Sequence, residues 1–218
     1  MSMEEALAQL KKGGTVAVFD SDSREGETDL MFSARFATPE KVEMLRKDAG
    51  GLICAAVGKE DAEKIGLPFF SDVFERGALG LSRLICRKTA YGDKPAFSLP
   101  INHREVYTGI TDNDRTLTLK KLDEVVRGRQ ADFMKEFYVP GHIFLLIGSG
   151  IGNRRGHTEL SLELAKRAGL GGAMVLCEML GKGKALPKED AMAYARKHGL
   201  VFVEGKEIID AAMGRDVK

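Results

Sequence analysis

Thr15-Val16-Ala17-Val18-Phe19, then Asp20-Ser21-Asp22-Ser23-Arg24-Glu25-Gly26-Glu27-Thr28-Asp29, then Leu30-Met31-Phe32-Ser33-Ala34 follow one another without a break. The outer two segments are short and apolar and read as buried strands. The middle one holds five acids (Asp20, Asp22, Glu25, Glu27, Asp29) and a single base, Arg24. Two core strands therefore carry a crowd of carboxylates between them. Such a crowd repels itself unless a cation or a ligand satisfies it, and hard oxygen donors suit Mg²⁺ or Mn²⁺. Gly26 permits a tight bend that can turn its neighbours inward. A solvated hairpin loop is the competing reading, and composition leaves both open. The acids do not follow the spacing of a calcium-binding EF-hand loop.

Outward from this stretch, strands and helices keep alternating. Residues 3–10 place Met3, Ala6, Leu7 and Leu10 at helical spacing and run into Lys11-Lys12-Gly13-Gly14, a helix stop. Thr38-Pro39-Glu40 opens a second helix with an N-cap threonine, a first-turn proline and an acid, and Gly50-Gly51 ends it. Further strands are expected at 52–57, 96–101, 106–110, 143–147, 173–180 and 201–203, and helices at 59–65, 116–126, 158–168, 188–198 and 206–213. The strand at 143–147 is entered through Pro140-Gly141, whose composition favours an exposed turn beside His142. Residues 68–95 show no sustained period and read as loop with one short strand near Leu84. The interleaving argues a mixed α/β or α+β domain. The absence of repeats and linkers makes one compact domain over 1–218 the simplest account.

Composition narrows the function classes. The chain has 218 residues, 33 Lys+Arg against 32 Asp+Glu, and a formal net charge of +1. That balance provides no global field for nucleic acid or an anionic membrane, so any charged function must be local. No apolar run approaches the roughly 18 residues of a membrane helix, and the start, Met1-Ser2-Met3-Glu4-Glu5, does not look like a signal peptide. Cys54, Cys86 and Cys177 are odd in number and far apart, which fits neither a disulfide framework nor a zinc ribbon. A reducing cytoplasm is the expected compartment.

A second polar segment stands out. Gly148 to Gly152 is glycine-rich and leads into Asn153-Arg154-Arg155-Gly156-His157-Thr158-Glu159, where a helical pattern begins. Backbone N–H groups and the dipole at such a helix start favour an anion. Arg154 or Arg155 adds a planar fork for phosphate, and Thr158 can cap the helix or touch the same anion. His157 offers a metal ligand or a proton carrier, while Glu159 suits the helix N-terminus. The segment lacks the ending of a P-loop, and no dinucleotide fingerprint follows a strand.

Taken in order, these motifs resemble the 3,4-dihydroxy-2-butanone 4-phosphate synthase family of riboflavin biosynthesis. The resemblance runs through Asp20 to Asp29, Thr38-Pro39, Gly51-Leu-Ile-Cys54, Thr108-Gly-Ile-Thr-Asp-Asn-Asp-Arg115, Pro140-Gly-His142, Arg154 to Glu159 and Cys177-Glu178-Met179. Arg24-Glu25-Gly26-Glu27-Thr28-Asp29 is similar to the archaeal branch, whereas residues 68–95 match poorly. The resemblance implies an α+β fold and conversion of D-ribulose 5-phosphate to L-3,4-dihydroxy-2-butanone 4-phosphate and formate. It also implies Mg²⁺ or Mn²⁺, and a homodimer with active sites at the subunit interface. Many bacterial members carry a GTP cyclohydrolase II domain, which a chain of this length is not expected to have.

Residue by residue, the resemblance puts Glu25 and His157 on the metal. Arg24, Glu25, Asp29, Arg154, Arg155, Gly156, His157 and Thr158 lie against the substrate. His142 and Glu178 are implied as essential for catalysis. Asp20, Glu27, Cys54 and Thr108 fall in the site by motif position, and a buried strand thiol is the plain alternative for Cys54. Another metal-dependent phosphosugar enzyme, or a non-catalytic phospho-ligand sensor, would share the metal and phosphate needs but not the order of the motifs.

Overall fold

In a computed structural model, which describes residues 3–85, 88–129 and 132–214, the acidic segment joins two neighbouring strands of a seven-stranded sheet. The strands are β1 (Val16–Phe19), β2 (Thr28–Ser33), β3 (Cys54–Gly58), β4 (Phe97–His103), β5 (Phe137–Gly148), β6 (Met174–Glu178) and β7 (Val201–Glu204). They lie in the order β4-β5-β3-β6-β2-β1-β7. The pairs β1/β7 and β3/β5 are parallel and the other four antiparallel, so the sheet is mixed.

The helices are α1 (Met3–Lys11), α2 (Pro39–Met44), α3 (Lys59–Lys64), α4 (Phe70–Arg76), α5 (Asp112–Val126), α6 (Phe133–Glu136), α7 (His157–Arg167), α8 (Lys188–Lys197) and α9 (Gly205–Ala212). Both faces of the sheet are covered. Val16, Val18, Met31, Cys54, Ala56, Leu176 and Val203 pack with Leu10 of α1, Leu160 and Leu164 of α7 and Ile208 of α9. Ala17, Phe19, Leu30, Phe32, Ala55, Val57 and Val175 pack on the other side with Val42 of α2, Leu119 and Leu122 of α5 and Ala191 of α8. Burial on both faces explains why the strands read as apolar runs rather than alternating ones. Each fully buried Leu contributes about 1.5–3 kcal/mol.

Local signals set the helix ends. Thr38 accepts a hydrogen bond from the Lys41 N–H at 3.4 Å, and Pro39 follows in the first turn. After α2 the chain continues through a π-helical turn, Leu45–Ala49, and stops at Gly50 with φ +87°. Thr111 caps α5 by accepting from the Asp114 N–H at 3.1 Å, which starts that helix earlier than its apolar residues suggest.

Three expectations are corrected. Residues 106–110 form a loop, not a strand, because the Asp114 carboxylate gathers the N–H groups of Tyr107, Thr108 and Gly109 at 3.2, 3.1 and 2.9 Å. Those are the donors a strand would have paired. Residues 68–95 contain α4 and a 3₁₀ turn, Leu81–Leu84, instead of a strand near Leu84. Pro140-Gly141 is not a turn but lies inside β5, where the pairing with β4 shifts register between Ile101 and Asn102. Cys86 lies outside the described residues, and Cys54 and Cys177 are free and buried.

Candidate active site

The β1–β2 connection is not a solvated loop. Asp20 is buried, and its carboxylate accepts the N–H groups of Glu25 (3.0 Å) and Glu27 (3.1 Å) and the Arg24 Nη1 (3.2 Å). Gly26, at φ +67°, makes the bend that lets one side chain collect these donors. Asp22 and Ser23 stay exposed.

The start of α7 closes over this loop. His157 is buried, with Nδ1 3.2 Å from Glu25 Oε2 and Nε2 3.2 Å from the Glu27 carbonyl and 3.6 Å from Asp29 Oδ1. One ligand atom each from Asp20, Glu25 and His157 can lie within 4.8 Å of the others. Burial favours neutral His157, but the charge of Asp29, the hydrogen bond to Glu25 and the charges of Asp20 and Glu25 outweigh it and raise the pKa to about 9. Burial also pushes Glu25 up, yet its hydrogen bonds with His157 and Tyr91 and the charges of His157 and Arg24 hold it at about 2. Two carboxylates and one imidazole, drawn together and half enclosed, form a donor set that fits Mg²⁺ or Mn²⁺.

Sheet register adds a second pair of acids. Met31, Leu176, Cys54 and Phe144 oppose one another across β2, β6, β3 and β5. Two residues along, on the same face, Asp29 of β2 stands opposite Glu178 of β6. Asp29 is buried and its Oδ1 has no hydrogen-bond partner. Burial, opposed by His157 and reinforced by the charges of Glu178, Glu25 and Glu27, lifts its pKa to about 8. Glu27 is raised as well, first by burial and then by Glu25 and Glu178. Glu178 accepts the Leu52 N–H at 2.8 Å. A Cβ on Gly51 would fall 2.4 Å from Glu178 Oε2 and 2.6 Å from its carbonyl, so this close approach needs glycine.

Two guanidiniums complete the site. Glu159 accepts from the Gly156 N–H at 3.3 Å and the Ser149 N–H at 3.0 Å, and pairs with Arg154 Nη1 at 2.6 Å. It therefore caps α7, a task the sequence had offered to Thr158, and anchors Arg154 as well. Arg24 Nη1 lies 3.0 Å from Glu25 Oε1. Arg24 also donates through Nε and Nη2 to Asp93 Oδ2, both at 3.1 Å, and the Tyr91 ring lies 4.5 Å from its guanidinium carbon. Arg154 and Asp93 open onto a cavity of about 1120 Å³, floored by Phe70, Phe97 and Phe144.

Of the expected site residues, Asp20, Arg24, Glu25, Glu27, Asp29, Arg154, Gly156, His157 and Glu178 come together here. Thr158 is buried in the first turn of α7, and Arg155 is exposed beside it. Cys54 is a buried strand thiol whose pKa burial raises far above its ordinary value. His142 is exposed on β5, and Asn102 holds it: Asn102 Oδ1 accepts its N–H at 2.9 Å, and Asn102 Nδ2 lies 3.1 Å from Nδ1. Thr108 is exposed and bonded to Asp114. Asn102, Tyr91 and Asp93 escaped the sequence reading. Tyr91-Gly92-Asp93 carries an ordinary turn signal, one of many in the chain.

The sequence profile of the 3,4-dihydroxy-2-butanone 4-phosphate synthase family matches residues 4–211. The chain belongs to this family. Its relatives include the synthases of Methanothermobacter thermautotrophicus, 43% identical over 97% of this chain and 96% of the relative, and of Archaeoglobus fulgidus, 42% identical over 96% and 93%. The solved synthase of Candida albicans shares the fold with a TM-score of 0.77, at 28% identity over 97% of each chain. A synthase structure in complex with two magnesium ions superposes with a TM-score of 0.79, at 25% identity over 99% of this chain and 100% of that one. The synthase fold, an α+β arrangement around a mixed sheet, is thus the fold found here. Among the described residues no helix is long and apolar enough to cross a membrane.

Proposed function

We propose that this synthase-family enzyme converts D-ribulose 5-phosphate into L-3,4-dihydroxy-2-butanone 4-phosphate and formate, the carbon–carbon lyase step that supplies the four-carbon unit of riboflavin. The observation that carries this reading is the joining of the Asp20–Glu25–His157 cluster to the Asp29–Glu178 pair, beside two guanidiniums at a helix N-terminus. We further propose that residues 1–218 act as one catalytic domain, as a cytoplasmic homodimer with its sites at the subunit interface and without a nucleic-acid partner.

Glu25 and His157 would hold Mg²⁺ or Mn²⁺, with Asp20 alongside, and the magnesium-bound relative supports this choice. A divalent ion there would polarise vicinal oxygens of the sugar and favour enediolate character. Arg154, Arg155, Thr158 and the first N–H groups of α7 receive the phosphate. The chemistry then needs a proton taken from C3, the C1 hydroxyl lost as water, a 1,2-shift in which the C4–C5 bond breaks as C3–C5 forms, and addition of water at C4 followed by cleavage of C3–C4, which releases C4 as formate. Asp29, buried beside His157 with an unpartnered Oδ1, is placed to exchange a proton with a sugar oxygen. Glu178, on the strand next to the acidic loop and opposite Asp29, and His142, oriented by Asn102, serve the remaining acid and base steps. Burial and the charges of Glu25 and Glu178 raise Glu27, which suits it to acid–base exchange.

Incubation with ribulose 5-phosphate and Mg²⁺ tests the reading. Formate and the four-carbon phosphate are expected. Sugar-phosphate isomers without formate would point to an isomerase, and absence of turnover to a phospho-ligand sensor.

A further inference from the structure

Residues 88–95 match no motif, yet they reach the site. The Thr89 N–H and hydroxyl both donate to the Asp93 carbonyl, at 2.8 and 3.2 Å, and the Gly92 N–H donates to the Thr89 carbonyl at 3.0 Å. Gly92 takes φ +91°, a conformation that favours glycine. This turn aims Tyr91 and Asp93 at Arg24. Asp93 Oδ2 accepts from both Nε and Nη2 of Arg24 and also lies 3.7 Å from Arg154 Nε. That Arg154 Nε is buried and has no hydrogen-bond partner, so Asp93 is the charge it faces. Both guanidiniums press on Gly156, where a Cβ would meet Arg24 Nη2 and Arg154 Nη1 at 2.5 Å each. Two cations this close repel unless an anion lies between them.

We propose that Asp93 is a positioning residue for the phosphate end of the site. Its carboxylate holds Arg24 and Arg154 side by side against the start of α7, and Tyr91 covers the Arg24 guanidinium. A bridging carboxylate fixes the plane of a guanidinium fork as well as its charge. Arg24 then clamps the acidic loop through Asp20 and Glu25, and Arg154, held between Glu159 and Asp93, lines the cavity. The inference rests on Arg154 being a phosphate contact.

The test compares wild type, Asp93→Asn, Asp93→Glu, Arg154→Ala and the Asp93→Asn/Arg154→Ala double variant, with KM and kcat for ribulose 5-phosphate at saturating Mg²⁺. Asp93→Asn is expected to raise KM about tenfold and leave kcat within about threefold. Asp93→Glu should recover part of the loss. The double variant should lose less than the two single changes would lose independently, because part of the carboxylate's effect runs through that guanidinium. Asp93→Ser also removes the charge, and takes the place of Asp93→Asn in the same comparison if that variant does not fold. An unchanged KM in Asp93→Asn overturns the inference while Arg154→Ala still raises KM. A lowered KM overturns it too, since Asp93 would then compete with phosphate for the guanidiniums. An unchanged KM in Arg154→Ala removes the phosphate reading and the inference together.

Discussion

His157 engages both ring nitrogens with oxygen acceptors, Glu25 on one side and the Glu27 carbonyl on the other, which is the bonding pattern of an imidazolium. With its pKa raised to about 9, the ring carries at neutral pH a proton that a metal ion must displace. The sign follows directly: protonation competes with the metal below about pH 9, so apparent metal affinity rises with pH. The expected slope is about tenfold per pH unit between pH 6.5 and 8.5, with about one proton released per ion. Calorimetry in buffers of differing ionisation enthalpy reads both quantities. A flat affinity over that range would remove His157 from the ligand set. At this scale the sequence was most legible where chemistry is dense. Five acids in one short segment and a histidine before a helix announce themselves, and the structure brings Glu25 and His157 together. Asp93 was illegible because a single acid in an aperiodic segment acquires meaning only when the fold carries it 69 residues back to Arg24.

Strand β5 shows what a single glycine can decide for an element. A Cβ on Gly141 would fall 1.8 Å from the Ile101 carbonyl carbon and 2.3 Å from the Asn102 nitrogen, both backbone atoms that cannot step aside. Gly109, at φ +89°, presses on the Asn102 side chain from the loop before α5. Asn102 is thus wedged between two glycines and in turn holds His142. Gly141→Ala is expected to destabilise the protein by about 1–3 kcal/mol, as overpacking does, and to lower kcat by displacing His142. Urea unfolding with steady-state kinetics on the folded fraction checks both, and a variant with wild-type stability would contradict the backbone contact. Elements with strong local signals were read well: the capped α2, the glycine-stopped α1 and the apolar central strands. The strand expected at 106–110 was lost to one side chain, Asp114, which takes the N–H groups a ladder would need. Such a capture depends on where α5 begins, and its apolar residues gave a later start than the Thr111 cap does.

For the whole molecule, a net charge of +1 conceals a local arrangement: the acids of the β1–β2 connection and the arginines Arg24 and Arg154 meet at the start of α7. Crowded acids store repulsion that a divalent ion relieves. An ion at 100 times its dissociation constant adds about 2.7 kcal/mol of stability, or about 5–10 °C in Tm for a chain of this length. Melting curves with Mg²⁺ and with chelator should differ by that much, and Glu25→Ala should erase the difference. Equal curves in wild type would count against a metal in this cluster. Fold class was legible because strands and helices alternate with clear stops, but the strand order was not, since no periodicity records which edge receives a late strand. That order carries a consequence for synthesis. β2 and β3 do not pair with each other; β6 sits between them, and it comes more than a hundred residues after β3. On the ribosome, at roughly 5–20 residues per second, the sheet remains two separate fragments for several seconds, each with an unpaired edge. Asp29 meets Glu178 only when the chain has grown past β6, so a nascent or truncated chain lacking that strand carries Asp29 on an open sheet edge without its opposing acid.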